Sequence, residues 1–382
     1  MKKKILFIVN HAAFFVSHRL ILAEEIIKKG WDFKLAIGKP ASETMEKVAE
    51  LKLKNKKIKY VRTLFSSNFS INFLSEIISL FQLAFTIIKF KPDIVHIVSP
   101  KAILIGGLAC RMLNKKKIVI AISGLGSLET YNTSLLTNIL NKFYFIVLKN
   151  IIYNKFTKII VQNSDDKIKI KKVLNIVNKK NILIIPGSGV KKNKKNKSNV
   201  RKNNKLILMA SRILIDKGII EYFQAAKYLK KKFKEWTFLL IGPIDYKSHA
   251  SLDKKQFKKL LNEKNVKWLG YKQNIEKYII KSSIICLPSY REGMSKFLIE
   301  GVMHNKPIIT TNVPGCKDLV INGKTGFLSK PKDAFSIAKN LEKLISNQKL
   351  LKKFEKNYSK FNKTKFESKN IINKTIQIYK DF

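Results

Sequence analysis

No part of the chain constrains its fold more than Ser282–Thr311. Ser282-Ser-Ile-Ile-Cys-Leu-Pro288 is short, apolar and β-branched, which predicts a buried strand. The polar loop Ser289-Tyr-Arg-Glu-Gly-Met-Ser295 follows, then an apolar helical stretch, then a second strand at Pro307-Ile-Ile-Thr-Thr311. Strand, helix and strand in this order form a βαβ unit. Such units build parallel sheets with helices on both faces. Open sheets of this kind bind ligands outside the carboxyl ends of their strands. A helix that starts there offers free N–H groups to an anion. Glu292 and Glu300 bracket the loop–helix junction with seven residues between them, so a nucleotide-like ligand is expected at this place.

The same alternation runs through the chain. The apolar runs predict strands at Ile5–Val9, Phe33–Ile37, Asp93–Val98, Lys117–Ser123, Lys158–Gln162 and Asn181–Ile185. Helices are predicted at Ser17–Lys29, over residues 71–90, and from Pro100-Lys101 onward. After Lys191–Lys205, a basic stretch with almost no apolar residue, the pattern restarts at Leu206. Strands follow at Thr237–Ile241, Val266–Leu269, Ile284–Leu287 and Ile308–Thr310, and Ala334–Phe382 reads as helical. A length of 382 residues is ample for two cores.

Four segments carry a family resemblance. The first is the Glu292-x7-Glu300 pattern after Leu287-Pro288-Ser289. The second is Leu206-Ile-Leu-Met-Ala-Ser-Arg-Ile-Leu-Ile-Asp-Lys-Gly218, a strand ending in Arg212 with Lys217 five residues on. The others are Asn322-Gly-Lys-Thr-Gly-Phe-Leu328, similar to a turn that follows the last strands, and Ile184-Ile-Pro-Gly-Ser-Gly-Val190, similar to a hinge. Together they resemble the retaining glycosyltransferases of family 4. The resemblance implies the α/β GT-B fold, two Rossmann-like domains facing each other across a cleft. Residues 1–190 would bind acceptor, residues 191–360 would bind the nucleotide sugar, and 361–382 would be a helix crossing back to the first domain. Gly124-Leu-Gly-Ser-Leu128 and Pro186-Gly-Ser-Gly-Val190 look most like enzymes that add N-acetylhexosamines to undecaprenyl-diphosphate-linked sugars.

The resemblance also implies roles. Arg212 and Lys217 would meet the donor diphosphate, Glu292 the reacting face of the sugar, and Glu300 the ribose hydroxyls. Gly293, Met294, Ser295, Lys296 and Phe297 would line the donor from the loop and helix start, and Gly242 would border the nucleobase, whereas Asp245 reads as a solvated loop acid. In the first half, His11, Ser99, Lys101, Ser123 and Gly124 are candidates for acceptor or phosphate contact. Two departures stand out. The turn after the first strand is Asn10-His-Ala-Ala13 where the family often has glycines, and Ser123 stands where many members place a His. His96, inside an apolar strand, reads as a core histidine. No Asp-x-Asp motif is present, so neither a metal ion nor another cofactor is expected.

The net charge is +50, from 76 Lys+Arg against 26 Asp+Glu. The lysines are spread along the whole chain, which fits compositional bias as well as attraction to an anionic membrane. No nucleic-acid-reading motif accompanies them. Cys110, Cys286 and Cys316 form no Cys-x-x-Cys pair, which fits a reducing cytoplasm and excludes a zinc framework. The apolar run after Met1-Lys-Lys-Lys4 is too short for a signal peptide and reads as a strand. Residues 71–90 are long and apolar, but Glu76, Gln82 and Lys89 interrupt them, favouring a helix packed on the sheet over one crossing a bilayer. Residues 133–156 mix Leu140, Phe143, Phe145 and Leu148 with Lys142, Lys149 and Lys155. Either an interfacial helix or a core helix with snorkelling lysines satisfies that pattern.

The expected function is transfer of a hexose or N-acetylhexosamine from a nucleotide-diphosphate sugar, UDP-linked by preference, to a polyprenyl-diphosphate-linked acceptor of surface-polysaccharide synthesis. The expected place is the cytoplasm, at the inner face of the membrane. A nucleotide-sugar epimerase of the same fold, or a non-catalytic polyanion- or membrane-binding protein, are the competing readings.

Overall fold

The computed structural model describes residues 2–40, 43–66, 73–125, 135–152, 156–175, 181–191, 205–244 and 250–382. Gly126–Leu128, Asp245, the basic run at 192–204 and the ends of the 133–156 segment lie outside them. The side chains of Leu140 and Phe143 are also outside the description. The chain divides into two compact units, Met1–Ser188 with Ser368–Phe382, and Gly189–Glu367.

The first unit is built on a parallel seven-stranded sheet of order β3-β2-β1-β4-β5-β6-β7. Its strands are β1 (Lys4–Val9), β2 (Asp32–Lys39), β3 (Tyr60–Ser66), β4 (Ile94–Val98), β5 (Ile118–Ala121), β6 (Thr157–Val161) and β7 (Ile182–Ile184). The helices are α1 (Ala12–His18), α2 (Leu20–Lys28), α3 (Glu43–Asn55), α4 (Phe73–Phe90), α5 (Pro100–Met112), α6 (Leu135–Ile152) and α7 (Ser164–Val173). β1 and β4 are buried at nearly every position because helices cover both faces of the sheet. On one face Leu83, Ile103, Leu148 and Ile170 of α4 to α7 pack into one core. On the other face Phe15, Ala23 and Leu53 of α1 to α3 join Ile371, Ile376 and Tyr379 of the C-terminal helix.

The second unit repeats the design with six parallel strands, order β10-β9-β8-β11-β12-β13. These are β8 (Leu206–Ala210), β9 (Thr237–Ile241), β10 (Val266–Trp268), β11 (Ile284–Leu287), β12 (Ile308–Thr311) and β13 (Gly326–Ser329). Its helices are α8 (Ile219–Lys230), α9 (Lys254–Asn262), α10 (Glu276–Lys281), α11 (Lys296–Met303), α12 (Ala334–Ile345) and α13 (Gln348–Ser359). The last helix, α14 (Ser368–Lys380), belongs to the first unit.

Three sequence expectations change. The helix expected over Ser17–Lys29 is two helices, because Arg19 leaves helical geometry (φ −129°) and turns its side chain into the core near Tyr379. No glycine or proline marks that break. Between residues 40 and 70 a helix and a strand were not foreseen, because the charged face of α3 hides its period. The Asn322–Leu328 turn leads into the last strand, since Gly326–Ser329 pairs in parallel with Ile308–Thr311.

His96 is a core residue, as its apolar strand suggested. Its ring stacks on Phe7 at 4.4 Å between centroids, and Nδ1 lies 2.5 Å from the Tyr379 hydroxyl. Burial, and then the nearby Arg19 charge, push its pKa well down, so the ring is neutral. This bond ties α14 to the central strand. Tyr379→Phe would leave the buried Nδ1 unpaired at a cost of about 1–2 kcal/mol. Tyr379→Ala would add a cavity and cost about 4 kcal/mol in all. Urea unfolding of the two variants measures both, and equal stability of Tyr379→Phe and wild type would refute the tie.

Candidate active site

In the second sheet the strand order reverses at β8, so the loops after β8 and β11 leave the same edge side by side. This is the switch point where an open sheet leaves a crevice. After β8 the chain passes Ser211 and Arg212, makes a 3₁₀ turn at Ile215–Lys217 and enters α8 through Gly218. After β11 it runs through Pro288–Ser295 into α11.

The two loops are stitched together. Tyr290 N and Ser289 Oγ both donate to the Asp216 carbonyl, at 2.8 and 3.0 Å. Gly218 makes this approach possible: its φ is +75°, and an added Cβ would lie 2.1 Å from the Pro288 carbonyl oxygen. The result is an ion pair, Lys217 Nζ donating to Glu292 Oε1 at 2.8 Å, with both side chains largely withdrawn from water. Burial opposes the lysine's charge, but Glu292 and Asp216 outweigh it and raise its pKa. Arg212, at the mouth of the same loop, is exposed, and its charge acts against that of Lys217. The structure therefore brings Arg212, Lys217 and Glu292 together, and it pairs two of them directly.

The Glu292 loop is also anchored from the next strand. Its N–H donates to the Pro314 carbonyl at 3.3 Å, and Thr311 Oγ1 bonds the Ser289 carbonyl. Ser295 caps α11, its side chain accepting from Leu298 N at 3.3 Å. Gly293 is buried, while Met294 and Lys296 are half-buried. Phe297 is spent on the core, so only its backbone is free to serve a ligand. Glu300, one turn into α11, has an Oε2 shielded from solvent with no partner. Burial lifts its pKa to about 7; Lys296 opposes the rise and Glu276 adds to it.

Gly242 ends the neighbouring β9. Its φ of +155° and the 1.7 Å that would separate an added Cβ from the Ser211 carbonyl oxygen leave no room for another residue. Its carbonyl accepts from Trp268 Nε1 at 3.0 Å, which fixes the rim of the crevice. Sequence reasoning missed two acids here. Asp216 has a buried Oδ1 without a partner, and Glu221, buried on α8, accepts from the Tyr290 hydroxyl at 2.6 Å. Glu221 left one signal, an acid on the apolar face of an amphipathic helix.

The first unit has its own switch point between β1 and β4. His11 follows β1, Ser99 and Lys101 follow β4, and Ser123 and Gly124 follow the adjacent β5. Ser99 is held at φ +83°, a costly conformation for a serine at about 1–3 kcal/mol. Lys101 is ion-paired with Glu76 at 2.5 Å. The start of α1 is already occupied by the protein's own groups. Ala12 N and Ala13 N donate to the two oxygens of Glu46 at 2.9 and 3.0 Å, and Phe14 N donates to His11 Nδ1 at 3.2 Å. Burial disfavours the Glu46 charge, but His11, these N–H groups and Arg62 hold its pKa at about 2. An internal carboxylate thus fills the place where a glycine-rich turn would receive a phosphate. Nothing in the sequence near His11 announces Glu46, which arrives from α3.

Comparisons with known proteins agree with this architecture. The family model for glycosyl transferases group 1 matches residues 190–361, and that for glycosyl transferase 4-like domains matches residues 4–163. The chain is 28% identical to the capsular polysaccharide biosynthesis glycosyltransferase CapM of Staphylococcus aureus, over 81% of this chain and 82% of that protein. It is 26% identical to an N,N'-diacetylbacillosaminyl-diphospho-undecaprenol alpha-1,3-N-acetylgalactosaminyltransferase of Campylobacter jejuni, over 83% of each. Among solved structures, HepE of Anabaena in complex with UDP superposes with a TM-score of 0.76 at 17% identity, covering 99% of this chain and all of that one. With both Rossmann-like units matched in order, the chain belongs to the family 4 glycosyltransferases of GT-B fold and is a transferase enzyme.

Proposed function

We propose that the protein transfers a hexose or N-acetylhexosamine, with retention of configuration, from a UDP-linked donor to a polyprenyl-diphosphate-linked glycan of surface-polysaccharide synthesis. The observation that carries this reading is the half-buried Lys217–Glu292 pair beside Arg212 at the switch point of the second sheet. The diphospho-undecaprenol acceptor of the Campylobacter enzyme supports a lipid-linked acceptor, the capsular role of CapM supports surface-polysaccharide synthesis, and the UDP bound to HepE supports the donor.

Breaking the glycosidic bond to a diphosphate leaves an oxocarbenium-like sugar and adds negative charge to the departing phosphate. Arg212 can clasp that phosphate through two N–H groups, and Lys217 meets it as a compact charge. Glu292 holds the Lys217 ammonium in place; as phosphate charge develops, the ammonium is shared with it. A cation placed this way stabilises the transition state more than the ground state. The leaving phosphate oxygen then takes the acceptor hydroxyl's proton on the same face, which retains configuration without a covalent intermediate. Glu300, with its unpartnered oxygen, receives the ribose hydroxyls. Ser99, Ser123 and Gly124 take the acceptor diphosphate at the edge of the first sheet; His11 and Lys101 join them only by exchanging their bonds with Phe14 N and Glu76 for the phosphate. Because protein cations neutralise the leaving group, no divalent ion is required.

Arg212→Ala and Lys217→Ala should each lower kcat about a hundredfold or more while weakening binding of the sugar-free nucleoside little. Steady-state kinetics with saturating donor and acceptor decide this, and wild-type turnover in either variant would refute the leaving-group role. Activity should persist in chelator. A loss that magnesium or manganese restores would overturn metal independence.

Glu300 supplies a pH test. The unfolded carboxyl ionises near 4.5 and the folded one near 7, so the folded state holds a proton that the unfolded state has lost in that window. Stability therefore falls as pH rises from 4.5 to about 7. Glu300→Gln removes this penalty and should be more stable than wild type at alkaline pH by roughly 2 kcal/mol. UDP affinity of the wild type should rise several-fold as the carboxyl ionises, and the glutamine variant should bind weakly and without that rise. Calorimetry across pH reads both, and unchanged affinity in Glu300→Gln would remove the ribose assignment.

A further inference from the structure

The first unit exposes an apolar stripe that its own fold leaves uncovered. On α4 the residues Leu74, Ile78, Phe81, Phe85 and Ile88 recur at intervals of four and three, so they share one face of the helix. All five are exposed, Phe81 to 59% and Phe85 to 64%. The opposite face is the packed one: Leu83, Ala84 and Ile87 are buried in the core beneath. By length and composition α4 is apolar enough to cross a bilayer, but those core contacts hold it on the sheet. Its outward face alone is available to lipid.

Charge identifies what covers this face. α4 lies beside α5, and α5 beside α6. These three helices carry Lys89, Lys101, Arg111, Lys142 and Lys149, and among acids Glu76 alone, which is ion-paired with Lys101. On the opposite face of the same sheet, α2, α3 and α14 balance the acids Glu24, Glu25, Glu43, Glu46 and Glu50 against lysines of their own, so the cationic excess there is smaller. The larger cationic excess and the apolar stripe therefore share one side of the unit. Lys89 extends its ammonium to within 5.9 Å of the Phe85 ring, so an apolar anchor and a cation stand together. The neighbouring helices add exposed Leu108, Met112 and Ile146. Aromatic side chains that enter the boundary of a leaflet, ringed by lysines that meet its headgroups, form an interfacial docking surface. Sequence pattern left residues 133–156 open between an interfacial and a core helix; Leu148 is fully buried and Phe145 packs against the core, so that segment serves the core on this face.

We infer that the outer face of α4, with the basic edges of α5 and α6, docks this protein on an anionic lipid leaflet. The inference deepens the function proposed above and rests on it for the lipid-linked acceptor. The full-length protein should co-sediment with mixed phosphatidylcholine and phosphatidylglycerol vesicles at low salt, bind phosphatidylcholine alone poorly, and leave the anionic vesicles as salt rises. Phe81→Ser combined with Phe85→Ser should weaken vesicle binding roughly tenfold or more without lowering the melting temperature, since both side chains are exposed. Leu51→Ser, an equally exposed apolar site on α3, should bind as wild type. Wild-type sedimentation of the double variant would overturn the inference, as would failure of the wild-type protein to bind anionic vesicles. A concentration-dependent dimer that the double variant dissolves, without vesicle binding, would also overturn it and make the face a contact between copies. Transfer to a water-soluble acceptor analogue, measured in parallel, should be unchanged in the double variant. Absence of that transfer in the wild type would count against the catalytic reading alone, because vesicle binding needs no donor.

Discussion

Parallel strand pairing is the constraint from which the rest follows. Every strand in the two sheets runs the same way, so all the loops that leave the carboxyl ends gather at one edge of each sheet. Parallel pairing also demands a crossover on each step and cover on both faces. Where the order reverses, at β1/β4 and at β8/β11, two neighbouring loops diverge to opposite faces and leave a crevice. The groups proposed for chemistry occupy these two places. Their precision comes from the strands: Lys217 and Glu292 are 75 positions apart in the chain, yet pairing of β8 with β11 puts them in hydrogen-bond contact.

Acids are scarce here, with 26 Asp+Glu against 76 Lys+Arg, and the structure concentrates several of them where they organise a site. Glu292 holds a half-buried lysine, Glu46 closes the first turn of α1, and Glu221 fixes Tyr290. Glu300 is the exception, because burial lifts its pKa to about 7 and one oxygen lacks a partner. A folded protein that leaves such a group unsatisfied carries a cost that a ligand can relieve. The contrast is between Glu46, locked as a carboxylate by internal donors, and Glu300, poised near neutrality and proposed to meet a ligand.

The exposed stripe of α4 shows how one helix serves two solvents. Leu83 and Ile87 bind it to the sheet, while Phe81 and Phe85 face outward. A helix with apolar residues all round is normally buried or crosses a membrane. This one lies on the surface of a globular unit, with cationic helices next to it.

The sequence by itself determined the α/β architecture, because buried parallel strands are written as short apolar runs: Thr237–Ile241 and Ile284–Leu287 fall where those runs place them. It also carried the local elements of the site, Arg212 with Lys217 and Glu292 with Glu300, since each pair is spaced along one loop or helix turn. Tertiary structure alone decided what joined them. The Lys217–Glu292 ion pair, the Glu46 carboxylate at the start of α1 and the His96–Tyr379 bond each link residues from different elements, and no periodicity encodes a contact of that kind. The break at Arg19 was invisible because its cause is a side chain drawn into the core near Tyr379 rather than a glycine or proline. Which apolar helix faces outward was likewise undecided. Residues 71–90 and 133–156 read alike as strings of leucine, isoleucine and phenylalanine, and only packing against the sheet selects the face that stays in contact with the surroundings.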